Sequence, residues 1–333
     1  MCTSPNYMLF TGEVTENDRP RLKFIGKQDY DKMLEMKLPF VQVPCGQCLE
    51  CRIQSARTWA DRCVLEAKNY KDNYFVTLTY DDNHLPERNS LKPKDLQDFM
   101  KRLRRHFKGV KIRFLACGEY GDASWRPHYH LCLFNLPLID LSYVFELREV
   151  VDIDLKTGKN VYGPYQQHLR PDNKGDLMYS RTIYDLWQWK GMISVAKFNY
   201  DTAAYVSQYV TKKCNPKNQQ LYKELSIVPE FIRMSNRPGI GWQYFEDHKF
   251  MHDVDHLIIP QDGEAHQSSI PRYFDKLFIK KYGEDVFNNF RSKRLLKRVN
   301  REHTYVHSKK DYKRECFIRD YNLKKRKRLR DSI

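Results

Sequence analysis

The chain has 333 residues, 41% of them hydrophobic and 14% aromatic, enough for one large domain or two modest ones with a packed core. No stretch comes near the roughly 18 to 20 uninterrupted apolar residues of a membrane span, and Met1-Cys2-Thr3-Ser4-Pro5-Asn6 lacks a basic region followed by an apolar one, so an intracellular protein with no membrane partner is expected. A net charge of +16 and a pI near 9.3 point to a polyanionic partner, and the charge is concentrated, with 17 Lys or Arg against four acids between Arg291 and Arg330.

Residues 1–44, where Gly12, Pro20 and Gly26 punctuate short apolar runs, read as an N-terminal arm or small strands. Between Gln47 and Tyr70, the residues Ile53, Ala56, Trp59, Ala60, Cys63, Val64 and Ala67 recur at spacings of three and four, which predicts an amphipathic helix. Tyr74 to Tyr80 is rich in β-branched and aromatic side chains and ends at Asp81-Asp82-Asn83, a strand running into a turn. Ser90, Pro93 and Asp95 open a helix that continues through Leu96, Phe99, Met100 and Leu103 to about Phe107. Two strands follow, near 111–117 and 128–134, joined by the turn-rich stretch from Gly121 to Pro127. An insertion fills 137–179, and Asp185-Leu186-Trp187 lies near the end of a short helix. A strand over 191–198 leads to Asp201, which can cap a helix from Thr202 to about Lys213 that Asn215-Pro216 closes.

The order β-α-β-β-α-β-α predicts an α+β fold, a small antiparallel sheet with helices on one face, of the RRM-like or split βαβ kind. With the cysteine cluster at 45–51 it forms a domain over 45–217, followed by an accessory segment over 218–290 packed on the core. A basic helical C-terminal extension over 291–333 completes the chain.

Side chains two apart on a strand face the same way, so His128 and His130 project together while Tyr129 turns to the opposite face. Two imidazoles can then share one metal ion. A phosphate-activating Mg²⁺ or Mn²⁺ would also want an oxygen ligand, for which Glu119, nine residues before His128, is the candidate. The bland alternative is a surface strand with two solvated histidines. On the last helix of the unit, Tyr205, Tyr209 and Lys212 stand at i, i+4 and i+7, a stripe of two phenols and an ammonium. Core aromatics with a lysine at the exposed edge would give the same spacing, but Ala203, Ala204, Val206 and Val210 offer another face for packing. A phenol with a pKa near 10 is only about 0.1% ionised at pH 7, and it becomes a competent nucleophile when a nearby cation stabilises the phenolate. Lys212 or a metal on His128, His130 and Glu119 could supply that cation, and the metal would polarise a scissile phosphate.

Phe75-Val76-Thr77-Leu78-Thr79-Tyr80, Arg126-Pro127-His128-Tyr129-His130 and Tyr205-x3-Tyr209-x2-Lys212-Lys213 stand in the order and rough spacing of the three motifs of the HUH endonuclease superfamily, which the chain resembles. Within it, the likeness is closest to replication initiators of microviruses, especially the gokushovirus branch. Further likenesses are Val43-Pro44-Cys45-Gly46-Gln47-Cys48 and Asn236-Arg237-Pro238-Gly239-Ile240-Gly241, so the resemblance spans about 43–275.

The resemblance implies an enzyme that nicks single-stranded DNA at an origin, keeps a 5′-phosphotyrosine with a free 3′-hydroxyl, and rejoins unit-length circles in rolling-circle replication. It implies Tyr205 and Tyr209 as nucleophiles, His128 and His130 as metal ligands, and Lys212 as the assisting lysine. The third ligand varies among such enzymes in type and position. It also implies a host helicase and a replication polymerase as partners and the cytoplasm of a bacterial host as the location.

Cys45-x2-Cys48-x2-Cys51 has the close spacing of metal sites, yet tetrahedral zinc needs a fourth ligand; Cys63 sits on the predicted helix and Cys2 is far off in sequence. A structural Zn²⁺ and three reduced thiols at a helix start both remain open. His248, His252 and His256 fall at helical spacing among Asp247, Asp253 and Asp255, a second metal site or a solvated charged face. Lys324-Lys325-Arg326-Lys327-Arg328 suits phosphate contacts or a solubilising tail. Two other functions compete with the nuclease: a non-catalytic nucleic-acid-binding initiator and a zinc-dependent regulator.

Overall fold

The computed structural model of the chain describes residues 2, 5–14, 20–26, 40–121, 124–147, 150–153, 160–162, 166–170, 175–212, 216–248, 254, 256–261 and 263–291. The chain divides into two compact units, one of residues 1–55 with 291–333 and the other of residues 56–290. The basic stretch after Arg291 lies outside the described residues.

In the first unit, β1 (Asn6–Val14), β2 (Pro20–Ile25) and β3 (Phe40–Val43) form an antiparallel sheet in the order β2-β1-β3. Residues 1–44 therefore supply a sheet, and its register places Asn6 opposite Val43. Pro44 to Cys48 then turn into α1 (Leu49–Ala67).

The second unit follows the expected order. It contains β4 (Asn73–Leu78), α2 (Pro93–His106), β5 (Arg113–Tyr120) and β6 (Pro127–Phe134). β6 is antiparallel to both β4 and β5 and lies between them, so β4-α2-β5 is a split βαβ crossover. The insertion is β-rich: β7 (Leu141–Leu147), β8 (Val150–Ile153), β9 (Asn160–Tyr162), β10 (Gln166–Leu169) and β11 (Leu177–Ser180). Then come α3 (Arg181–Leu186), β12 (Ile193–Lys197), α4 (Tyr200–Lys212), α5 (Pro216–Glu224) and β13 (Phe231–Met234). After α6 (Trp242–Asp247), the hairpin β14 (His256–Gln261) and β15 (Glu264–Ser269) leads to α7 (Arg272–Tyr282). Eight strands make one sheet in the order β10-β7-β11-β12-β4-β6-β5-β13, with every neighbouring pair antiparallel. The fold is α+β, and the insertion and accessory segment widen its sheet at both edges.

Helices cover both faces of this sheet, in contrast to the one-sided packing expected. Val76, Leu78, Tyr129, Leu131 and Leu133 pack with Leu96, Phe99, Met100 and Leu103 of α2 and with Ile183 and Trp187 of the α3 region. Leu115, Cys117, Cys132 and Phe134 point the other way and pack with Ala60 and Cys63 of α1 and with Ala203, Val206 and Tyr209 of α4. The central strands are near-continuous apolar runs because both faces are buried, a pattern that alternation cannot reveal. A third cluster joins Val64 and Leu65 of α1 to Phe245, Leu257, Ile259, Phe274 and Phe278.

The loop Asn236 to Gly241 is docked by buried charge. Glu66 of α1 pairs with Arg113 of β5 and accepts the Gly241 N–H at 2.6 Å, while Arg113 donates to the Gly239 carbonyl at 2.8 Å. Arg62 donates to the Ile240 carbonyl at 2.9 and 3.1 Å, its guanidinium held between the Trp59 and Tyr273 rings at 4.1 Å from each centroid. Each buried ion thus has hydrogen-bonded partners. Among the described residues, no helix is long and apolar enough to cross a membrane.

Asp201 does not cap α4. The Asn199 side chain accepts the Thr202 N–H at 2.9 Å while Thr202 Oγ1 accepts the Asn199 N–H at 3.0 Å, a reciprocal capping box, and Asp201 is exposed in the first turn. Asn199→Ala should cost about 1 kcal/mol in urea unfolding, and Asp201→Ala no more than a few tenths.

Candidate functional site

β5 and β6 are antiparallel neighbours in a register that sets Glu119 opposite His128 and Cys117 opposite His130. His128 and His130 leave β6 on the α1/α4 side, on the same face as Cys132 and Phe134, and Tyr129 enters the opposite core. The strand geometry expected of the triplet is realised.

The three polar side chains converge. Glu119 Oε1 lies 2.6 Å from His128 Nε2 and 2.9 Å from His130 Nε2, and ligand atoms of all three residues lie within 4.8 Å of one another. Each imidazole is oriented from behind, with His128 Nδ1 at 3.1 Å from the Arg126 carbonyl and His130 Nδ1 at 2.9 Å from Thr77 Oγ1. A carbonyl only accepts, so Nδ1 of His128 carries a proton and its Nε2 is the atom presented to the site. Phe75 stacks on the His130 ring at 5.4 Å with 10° between planes, further restricting it.

The helix completes the cluster unevenly. Tyr205 is 39% exposed, and its hydroxyl donates to Glu119 Oε1 at 3.1 Å and lies 3.5 Å from His130 Nε2. Tyr209 is buried with Ala203 and Val206, its ring stacked over His130 at 6.5 Å. Lys212 is the last residue of α4; its side chain lies outside the described residues, as does Lys213.

Burial opposes ionisation of Glu119, but hydrogen bonds and charge from His128 and His130 outweigh it and lower its pKa from 4.5 to about 2. Its second oxygen, Oε2, is buried with no hydrogen-bond partner. A buried carboxylate oxygen costs free energy unless something satisfies it. Two imidazole nitrogens and a carboxylate aimed at one point, with that oxygen in reserve, fit a divalent cation.

Thr77 and Phe75 escaped the sequence reading. Alternation along Phe75-Val76-Thr77 puts both on one face, but their meeting with His130 depends on the β4–β6 register, which pairs Thr77 with His130. A basic surface also went unseen: an open cleft of about 950 Å³ beside α2, lined by Lys94, Lys101, Arg104, Lys111, Arg233 and Arg237 among others. These cations are scattered in sequence and gathered only by the fold.

The other cysteine and histidine candidates differ from each other. The thiols of Cys45, Cys48 and Cys51 come together, with Cys2 beside them. His256 begins strand β14 and His248 follows α6, so the helical spacing is not realised; His252 lies outside the described residues.

Glu119 contributes stability through its depressed pKa, and that contribution is fully present above 4.5 and disappears as pH falls to about 2. In chelator-treated protein, the thermal-stability gap between the parent and Glu119→Gln should be constant above pH 4.5 and close toward pH 2.

The family model for replication-associated proteins of the ORF2 type matches residues 73–214, the stretch that carries the whole His/Glu/Tyr cluster. The replication-associated protein ORF2 of Spiroplasma virus 4 is 35% identical over 74% of this chain and 71% of its own length. The replication-associated protein VP4 of Bdellovibrio phage phiMH2K is 30% identical over 76% of this chain and 72% of its own. The replication-associated protein ORF4 of Chlamydia phage 1 is 26% identical over 86% and 68%. No solved structure matches the chain. Sequence likeness across most of both partners therefore assigns this chain to the replication-associated proteins of microvirus-like phages.

Proposed function

We propose that the protein nicks single-stranded origin DNA by attack of Tyr205 on a backbone phosphate, as HUH endonucleases do, and rejoins the ends in rolling-circle replication of a phage genome. The observation that carries this is the approach of one phenol, at 3.1 and 3.5 Å, to Glu119 and His130 of the two-histidine, one-carboxylate cluster.

His128, His130 and Glu119 would hold Mg²⁺ or Mn²⁺. When bound, the ion polarises the scissile phosphate and offsets charge developing in the transition state. The remaining work belongs to the chain. Thr77 and the Arg126 carbonyl keep both imidazoles in one orientation, and Glu119 remains ionised across the working pH range. Tyr205, at the solvent edge, gives its proton to water, and its oxygen bonds to phosphorus as the bond to the 3′ oxygen breaks. That oxygen takes a proton and leaves as a 3′-hydroxyl.

The 5′-phosphotyrosine retains the bond energy, so the reverse attack reseals DNA without ATP. Tyr209, one turn on and stacked over the same imidazole, is the acceptor for a second transfer, and Lys212 assists by stabilising phenolate. The freed 3′-hydroxyl suits extension by a host polymerase behind a host helicase, within the bacterial cytoplasm. The cationic cleft beside α2 and the basic tail would hold the polyanion, which makes binding steeply salt-dependent.

The test is incubation of labelled single-stranded origin DNA with the protein and Mn²⁺, followed by a denaturing gel. A covalent protein–DNA band should form. Tyr205→Phe should abolish it, Tyr209→Phe should leave first cleavage intact, and His128→Ala should slow it by about 10²–10³-fold. Full product from the Tyr205→Phe/Tyr209→Phe double variant would sink the nucleophile assignment. Unchanged DNA binding with no adduct from the parent would leave a binding initiator in its place.

A further inference from the structure

The N-terminal unit carries a second constellation that the nicking chemistry does not use. Cys2 Sγ lies 3.7 Å from Cys48 Sγ, Cys45 Sγ lies 4.0 Å from Cys51 Sγ, and all four sulfurs lie within 4.8 Å of one another. Four thiolates at about 2.3 Å from a central zinc ion would stand about 3.8 Å apart along each edge of a tetrahedron. A disulfide would need about 2.05 Å. The spacing suits a shared ion and not a bonded pair.

Topology makes the fourth ligand local. Cys2 comes four residues before Asn6 and Cys45 two residues after Val43, and Asn6 and Val43 are directly paired in the β1–β3 ladder. Both cysteines therefore leave the sheet at the same end. Cys45-Gly46-Gln47-Cys48 makes the turn, with Gly46 at φ +75°, a conformation that side chains disfavour. In this turn the Gln47 and Cys48 N–H groups donate to Cys45 Sγ at 3.4 and 3.3 Å, and the Cys45 N–H donates to Cys2 Sγ at 3.3 Å. Such donors favour the thiolate over the thiol. Cys51 lies in the first turn of α1, where the helix dipole also favours negative charge.

We propose that Cys2, Cys45, Cys48 and Cys51 form a structural Zn²⁺ site that clips the β1–β3 sheet to the first turn of α1. Four soft sulfur donors in a tetrahedron select zinc over the hard ions suited to Glu119, and with no position left open the site is closed to substrate. Each thiol gives up its proton to solvent as the ion binds.

Full-length protein purified without chelator should carry zinc at about one equivalent per chain by plasma mass spectrometry, as one closed site requires. Cys2→Ser and Cys48→Ser should each lose it, while Cys63→Ser and His128→Ala keep it. Cobalt reconstitution should give sulfur-to-metal charge-transfer absorption, a signature that nitrogen and oxygen ligands at His128, His130 and Glu119 cannot produce. If serine variants fail to fold, titration of the parent with a mercurial reports the same site, because zinc should be released in step with the blocked thiols. Substoichiometric zinc, iron in its place, or zinc retained by Cys2→Ser but lost from His128→Ala overturns the proposal. None of these outcomes depends on whether the protein cuts DNA.

Discussion

The registers of β6 with its two neighbours hold the whole site. On one side β5 sets Glu119 opposite His128, and on the other β4 sets Thr77 opposite His130. The carboxylate and the orienting hydroxyl thus arrive from different strands at imidazoles two residues apart. A slip of one residue in either ladder would turn both histidines into the α2 core and bring Tyr129 out in their place, since side chains alternate with a period of two. Everything else in the cluster assumes that this slip does not occur.

What prevents it lies on the opposite face. Tyr129, between the two histidines, is fully buried, and its hydroxyl lies 2.9 Å from the hydroxyl of Tyr80, which donates to Asp95 at 2.7 Å. The same Tyr129 oxygen accepts the Lys92 N–H at 3.1 Å, just ahead of α2. Opposite Tyr129 in β5 is Gly118, where an added Cβ would come within 2.8 Å of the Phe231 ring, so only glycine lets Phe231 pack against Tyr129. Burying a phenol without these partners would cost roughly 1–3 kcal/mol. The network therefore penalises a slipped β6 on the side where nothing chemical happens, and that penalty keeps the histidines in place on the other.

The legible parts of this arrangement were those governed by local periodicity. The alternation through His128, Tyr129 and His130, the amphipathic pattern of α2 and the stripe of α4 each depend on neighbours a few residues apart. Helix packing on both faces was not legible, because an amphipathic stripe says that a helix packs and not on which side of the sheet. Asp201 looked like the cap of α4 because both it and Asn199 are good cap residues, and only the backbone decides which of them stands outside the first turn. The strands of the insertion were hidden by its polar composition, as edge strands often are. Cys2 was out of reach for a related reason: its partnership with Cys45 passes through a β1–β3 pairing separated by more than thirty residues.

The donor set also bears on which ion the proposed chemistry would use. Mg²⁺ demands oxygen ligands and sheds water reluctantly, whereas two of the three protein donors here are imidazole nitrogens, which Mn²⁺ tolerates better. Zinc would bind such a set more tightly still by the general order of divalent affinities. A four-sulfur site in the same chain changes that competition, because soft thiolates would take zinc in preference to a histidine pair sharing one carboxylate. On this reading the two sites sort ions by softness, and the histidines are left to a weaker-binding ion that can exchange its remaining water for a phosphate oxygen at each cycle.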